Sequence, residues 1–284
     1  MGKTTASPRK GKTSVPAVHV TLAMFDSREP VYRVRREGVP IERFTPLGPG
    51  DYMPSAMTPL RDAVAQFIGH LDRLRAGDRV TIGLLLDESG SMADNREAVI
   101  AGVNEFVGGM SDVEAVDPAA AGKVLAVIVT DGLENSSREV DPQTLARSIA
   151  QHEQDGWTFI YMGANQDTWA VGEQTGLSGR ASGQSVHFRA TPAGTRAAMG
   201  SVAGDARQYL RGVESYAQAR TASARRSVTE DGEELLTNLG AQEPGSGRSA
   251  AGTAGTAGTA GAAGQARYAG VDEALARAKE ATRR

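Results

Sequence analysis

Val80-Thr-Ile-Gly-Leu-Leu-Leu-Asp-Glu-Ser-Gly-Ser91 is the stretch on which the fold turns. Residues 80–86 are apolar almost throughout, the pattern of a parallel strand covered on both faces. The run stops on the carboxylate of Asp87, and Glu88, Ser89 and Ser91 follow at once. Gly90 lets this loop wrap tightly, so that Ser89 and Ser91 can face the same point. Beyond it, Val99, Ile100, Val103, Phe106 and Val107 form one apolar stripe, which predicts an amphipathic helix over 94–108.

Outward from that unit, strand and helix keep alternating. Downstream, 123–129 (KVLAVIV) reads as another buried strand, and Asp141-Pro142 caps a helix through Leu145 and Ile149. Residues 157–162 (WTFIYM) and 185–189 (SVHFR) read as strands, and Pro192 starts a long helix. That helix carries Met199, Val202, Ala206, Tyr209, Val213 and Tyr216 at spacings of three and four, a core-facing stripe. Upstream, 18–25 (VHVTLAMF) alternates as a strand and 31–36 (VYRVRR) as an edge strand, with Glu37-Gly38 turning after it. Thr58 at N-cap and Pro59 at the first helical position open a helix through Leu60, Val64, Phe67, Ile68, Leu71 and Leu74, stopped by Gly77. The alternation predicts an α/β domain over 17–224, a doubly wound, open, mostly parallel sheet with helices on both faces.

The flanks read differently. Residues 1–16 hold Lys3, Arg9, Lys10 and Lys12 and no acidic side chain, a basic disordered arm. Residues 225–269 are expected to form a flexible linker. They include AGTAGTAGTAGAAG at 251–264, which has collagen-like glycine spacing but no proline. Residues 270–284 (GVDEALARAKEATRR) read as a short appended helix, too short to be stable alone. Ala6-x-x-x-x-Gly11-Lys12-Thr13 fits a permissive phosphate-loop pattern, but that loop needs a strand before it and a helix after it. Only five residues precede Ala6, and Pro16 interrupts any helix.

Composition narrows the chemistry. The chain has 284 residues, with 31 Lys and Arg against 34 Asp and Glu, a net charge of −3. That balance excludes a strongly basic nucleic-acid binder. There is no cysteine, hence no disulfide scaffold, thiolate zinc site, iron–sulfur centre or cysteine nucleophile. The histidines, at 19, 70, 152 and 187, show no H-E-x-x-H spacing, which argues against catalytic zinc. No apolar run approaches the roughly 18–20 residues of a membrane span. The start does not read as a secretory signal. The expected location is the cytoplasm, with no membrane and no nucleic-acid partner.

Three polar clusters fall at strand ends or helix starts, where open α/β sheets place ligand sites. They are Asp87, Ser89 and Ser91 after the strand 80–86, Asp131 in Val-Thr-Asp-Gly132 after the strand 123–129, and Thr58 before its helix. Three hydroxyls and two carboxylates form an all-oxygen set, which suits Mg²⁺ or Mn²⁺ rather than zinc or copper. The plainer alternative is that Asp87-x-Ser-Gly-Ser91 is a polar turn capping the next helix. No catalytic residue is expected, because Ser91 lacks the G-x-S-x-G flank of a hydrolase nucleophile and no histidine has a placed partner. Glu88 is expected to be exposed.

On these residues the chain resembles the von Willebrand factor type A domain. Asp87-x-Ser89-x-Ser91 matches that family's metal-ion-dependent adhesion site. Thr58-Pro-Leu-x-x-Ala63 resembles the segment with its threonine ligand, and Thr130-Asp-Gly132 the segment with its second aspartate. The similarity is nearest to bacterial and phage intracellular members, through Thr130-Asp-Gly-Leu-Glu-Asn-Ser-Ser-Arg-Glu139, Gly163-Ala-Asn165 and Phe188-Arg-Ala-Thr-Pro192. It covers about residues 17–218. The threonine block here precedes the D-x-S-x-S strand, whereas the family has that strand first, and Ala56 stands where the family often has glycine. The exchange need not break the sheet, because the strands ending at Asp87 and Asp131 stay neighbours. The resemblance implies metal contacts from Ser89, Ser91 and Thr58, with Asp87 acting through a water and Asp131 supporting from farther out.

The function implied is a non-enzymatic, Mg²⁺-dependent protein-binding module, in assembly or beside an AAA+ ATPase. Its protein partner would offer an Asp or Glu to the metal. Two other readings stay open. One is a structural or assembly component of a phage particle, with an incidental metal. The other is a metal-dependent hydrolase such as a phosphatase, which lacks a general base or nucleophile beside the cluster.

Overall fold

The computed structural model describes residues 15–111, 116–131, 134–164, 185–189, 191–212, 226–228 and 234–236. Its strands are β1 (Ala17–Phe25), β2 (Tyr32–Pro40), β3 (Arg79–Asp87), β4 (Val124–Thr130), β5 (Trp157–Ala164), β6 (Ser185–Phe188), β7 (Arg226–Val228) and β8 (Glu234–Leu236). Its helices are α1 (Leu60–Leu74), α2 (Arg96–Ser111), α3 (Pro142–Gln154) and α4 (Pro192–Leu210). The strands form one sheet in the order β2-β1-β3-β4-β5-β6-β7-β8. Neighbours from β1 to β7 run parallel, and the edge pairs β1–β2 and β7–β8 are antiparallel. The expected class, an open, mostly parallel α/β sheet wound on both faces, is the one adopted.

The central strands are apolar almost throughout because alternate residues feed two separate cores. On one face Val80, Ile82, Leu84 and Leu86 of β3 join Val99, Val103 and Phe106 of α2 and Met199 and Val202 of α4. On the other, Leu85 of β3 and Ile128 of β4 join Val64, Phe67 and Leu71 of α1 and Leu145 and Ile149 of α3. Fully burying each such side chain contributes roughly 1.5–3 kcal/mol relative to exposure. Gly83 lies where α1 comes closest. A Cβ there would stand 2.5 Å from side-chain atoms of Leu71 and Phe67.

The order of strands and the faces of helices together define a crevice. From β1 to β3, β3 to β4 and β4 to β5, the chain steps the same way across the sheet. Yet α1 and α3 cover one face and α2 the other. The connection through α2 therefore has the opposite hand to those through α1 and α3, a departure from the uniform hand of βαβ crossovers. One consequence concerns the site. After β3 the chain leaves toward one face, and after β4 toward the other, so a gap opens between their carboxyl ends. That divergence is what makes a ligand crevice in such sheets. Leu86 pairs with Val129, so Asp87 and Asp131 flank the gap.

Local expectations hold with a few corrections. Asp141 caps α3 by accepting from the Thr144 N–H, and Thr191 caps α4 by accepting from the Gly194 N–H. Thr58 is not an N-cap. Pro59 occupies that position, and no side chain caps α1 locally. The helix expected from 94 starts at Arg96, after a 3₁₀ turn over Gly90–Asn95. Glu37-Gly38 does not end β2, which runs to Pro40. Gly38, at φ +53, donates its N–H to Thr21 Oγ1 beside a register shift, so the ladder absorbs the turn as an irregularity. The expected domain end at 224 is not the end of the sheet, because β7 and β8 lie inside the stretch read as linker. Residues 1–14 with their phosphate-loop-like pattern, Gly132, Asn165, Val213, Tyr216, the Gly/Ala/Thr run and the helix expected over 270–284 lie outside the described residues. Among the described residues, no helix is long and apolar enough to cross a membrane.

Candidate metal centre at the ends of β3 and β4

Four of the five residues singled out above meet in one hydrogen-bonded chain. Asp87, fully buried at the end of β3, accepts from the Ser89 N–H at 2.8 Å through Oδ1 and from Thr130 Oγ1 at 2.5 Å through Oδ2. Ser89 Oγ lies 3.1 Å from Ser91 Oγ, and Ser91 Oγ donates to Asp131 Oδ1 at 2.6 Å. Exposure rises along the chain, from buried Asp87 and Ser89 to half-buried Asp131 and exposed Ser91. The plainer reading as a helix-capping turn fits less well. Ser89 occupies the N-cap of the 3₁₀ turn but makes no side-chain cap bond. Its hydroxyl faces Ser91 instead.

Thr58 is buried, and no hydrogen bond links it to those four among the described residues. Its backbone is fixed by the loop that follows Asp131. Asn135 accepts from the Thr58 N–H at 2.9 Å through Oδ1 and donates its own N–H to the Thr58 carbonyl at 3.2 Å. Next to it, Glu134 accepts from the Arg61 N–H and Ser137 Oγ from the Asp62 N–H. In return, Asp62 accepts from the N–H groups of Arg138, Glu139 and Val140 at 2.7, 3.1 and 2.9 Å. A helix start leaves four N–H groups without intrahelical partners. Here a distant loop satisfies two of them, those of Arg61 and Asp62, in place of a local cap. Sequence reading missed this function of Glu134, Asn135 and Ser137, whose partners lie some 75 residues away.

A second segment, 49–58, straps across the 87–91 loop. The Tyr52 hydroxyl donates to the Asp87 carbonyl. The Ser55 N–H donates to the Glu88 carbonyl at 2.7 Å, and the Gly90 N–H donates to the Ala56 carbonyl at 3.0 Å. Arg96 Nε holds the Tyr52 carbonyl at 2.9 Å. Glu88, expected to be exposed, is completely buried. Its Oε1 accepts from the Met53 N–H at 2.5 Å and its Oε2 from Arg33 Nη2 at 2.8 Å. Arg33 also holds buried Asp26 at 2.8 Å, together with Arg28. The signal was present in Val31-Tyr-Arg-Val-Arg-Arg36, where alternate residues of β2 place Arg33 and Arg35 on one side.

The electrostatics favour a cation. Burial pushes the Asp87 carboxyl up to about 6, against hydrogen bonds from Thr130 and Ser89 that pull it down. The charge of Asp131 adds to the rise. Asp131 is itself raised by burial, opposed by its bond from Ser91. Two desolvated carboxylates of raised proton affinity, that of Asp87 raised in part by the charge of Asp131, are stabilised by a nearby positive ion. Both Asp87 oxygens already accept protein donors, which suits contact through a water. The Ser89 and Ser91 oxygens lie side by side, with Ser89 buried and Ser91 at the surface end. These residues fit a hard divalent ion with oxygen ligands. Among the described residues no group of three His, Asp or Glu side chains could hold a metal; the set here has only two such groups, completed by hydroxyls.

Fold and site together define a class, an open parallel α/β domain with an oxygen-lined polar centre at the carboxyl ends of two adjacent strands. Compared with protein-family models, curated proteins and solved structures, the chain matches none.

Proposed function

We propose that this protein is a non-enzymatic binding module that holds Mg²⁺ or Mn²⁺ and uses it to engage an acidic side chain of a protein partner. The observation that carries the reading is the chain Ser89–Ser91–Asp131, hydrogen-bonded across the β3–β4 crevice and open to solvent at Ser91. The resemblance of Asp87-x-Ser-x-Ser91, Thr58 and Asp131 to the von Willebrand factor type A motif supports it. Ser89, Ser91 and Thr58 would hold the ion, with Asp87 and Asp131 supporting them. The bound ion supplies a hard electrophilic centre whose charge neutral hydroxyls leave largely uncancelled, and a carboxylate is the matching hard anion. The residues of this chain orient that centre and keep one side of it accessible. We place the protein in the cytoplasm, with roles in assembly or beside an ATPase.

The test is affinity capture with the full chain in Mg²⁺, repeated with chelator and with the Ser89→Ala/Ser91→Ala double variant. A partner retained only with Mg²⁺ and intact serines, and lost when one of its own Asp or Glu residues is neutralised, is the expected result. Capture that is undiminished by chelator sinks the mechanism.

A further inference from the structure

Glu88 lies between Asp87 and Ser89, yet its carboxylate turns away from the candidate ion. We propose that Glu88 is a positioning residue for the metal loop, tying it to the 49–58 strap that carries Thr58 and assigning its own charge to the arginines of β2 and the preceding turn. This rests on the metal reading above.

Four contacts carry the inference, and they reach three separate segments. The Glu88 N–H donates to the Phe25 carbonyl at 2.7 Å, and its carbonyl accepts from the Ser55 N–H at 2.7 Å. Its carboxylate takes the Met53 N–H on one oxygen and Arg33 on the other. A completely buried carboxylate costs several kcal/mol unless it is paired and hydrogen-bonded. Arg33 is its nearest cation, and Arg28 and Arg35 stand at 3.6 and 3.8 Å. Asp26 is buried to the same degree and shares Arg28 and Arg33, but its carboxylate bonds neither the strap nor the loop. The cluster thus holds three guanidinium groups against two carboxylates. Loss of the Glu88 charge leaves three against one beside the ion's site, and loss of its reach frees the strap from this side-chain anchor. Both effects weaken metal binding. Loss of the Asp26 charge gives the same imbalance farther out and leaves the strap bonded.

The experiment is Mn²⁺ titration of the full chain, read by the paramagnetic signal of the free ion, with melting measured in parallel. Glu88→Gln keeps an acceptor for the Met53 N–H but loses the charge. Glu88→Asp keeps the charge but is too short to span the Met53 and Arg33 contacts together. Both are expected to weaken Mn²⁺ binding by about tenfold or more, the scale seen when residues that orient metal ligands are changed. Asp26→Asn is expected to lower the melting temperature while leaving Mn²⁺ affinity within about twofold of the wild type, well short of that tenfold scale. If Glu88→Gln does not fold, Glu88→Asp decides alone. Wild-type affinity in the Glu88 variants overturns the proposal, and so does an equal loss in Asp26→Asn. A wild-type chain that binds no Mn²⁺ removes the metal reading itself, a result visible before any variant is compared.

Discussion

Two buried carboxylates near the crevice respond to pH in opposite directions. Asp87 has a folded-state value of about 6 against an ordinary 3.8, so it contributes against folding as pH rises from about 4 through 6. At about 1.4 kcal/mol per pH unit, that interval corresponds to at most about 3 kcal/mol. Asp87→Asn keeps the acceptor for the Ser89 N–H and can donate to Thr130. In chelator at pH 7.5 it is expected to melt several degrees higher than the wild type and to lose any Mg²⁺-induced shift. An unchanged or lower melting temperature there contradicts the electrostatic account. Asp26 behaves the other way. Burial pushes its carboxyl up, but bonds from Arg28 and Arg33 outweigh that and hold it below the ordinary range. Its stabilisation is present above about pH 4 and fades as pH falls further, so Asp26→Asn is expected to flatten the acid limb of the stability profile. Ala56 illustrates a third residue-scale effect. It sits at φ +66, a conformation that disfavours a Cβ by roughly 1–2 kcal/mol. Ala56→Gly is expected to raise stability by about 0.5–1 kcal/mol after the entropy of glycine in the unfolded chain is deducted. Denaturant midpoints at constant slope measure it.

Elements are held in place by contacts whose two halves lie far apart in the chain. The start of α1 and the loop 134–140 satisfy each other's backbone groups, with Asp62 alone accepting three N–H bonds. Asp62→Ala is expected to cost about 1–3 kcal/mol, since the buried Val140 donor left without a partner costs about that much, while the donors of exposed Arg138 and Glu139 turn to water. The same change is expected to weaken the Mg²⁺ response, because Thr58 is carried by that junction. A variant that melts lower but keeps the full Mg²⁺ shift separates Thr58 from the site. On the opposite side of α1, Gly83→Ala drives a methyl into Leu71 and Phe67. Overpacking of that kind typically costs 1–3 kcal/mol, measured by urea unfolding. The helices and strands themselves were readable from periodicity. Their ends were readable only where the cap is local, as at Asp141 and Thr191. At α1 the cap is supplied from residues 134–137, which no local window contains.

At the scale of the whole molecule, the segment leading to Thr58, placed before the D-x-S-x-S strand, still packs against the loop after β3, through Gly90 and Ala56, and against the loop after β4, through Asn135. The cost is a crossover of reversed hand, and the compensation is that β3 and β4 remain paired over six residue pairs. The two cores are built from residues no later than Leu210 among those described. A chain ending at Gln218 is therefore expected to melt in one cooperative transition. Its loss of solubility relative to full length means that the strands beyond residue 224 are part of the folding unit. Saturating Mg²⁺ is expected to stabilise the full chain, by about 2.7 kcal/mol at one hundred times the dissociation constant. No melting shift at millimolar Mg²⁺, in wild type as in Asp87→Asn, removes the metal site.

The sequence determined the α/β class and the position of the polar cluster, because hydrophobic periodicity and a tight Asp-x-Ser-Gly-Ser loop are local properties with a range of a few residues. It also placed Asp131 just past the carboxyl end of β4, since a buried strand that ends in Thr-Asp-Gly announces its own end. The tertiary structure alone decided that Glu88 is buried, that Thr58 is positioned by Asn135, and that α2 crosses with the opposite hand to its neighbours. Each of those depends on groups tens of residues apart meeting in space. Only the closed fold determines whether a given charge finds a partner and sheds its water.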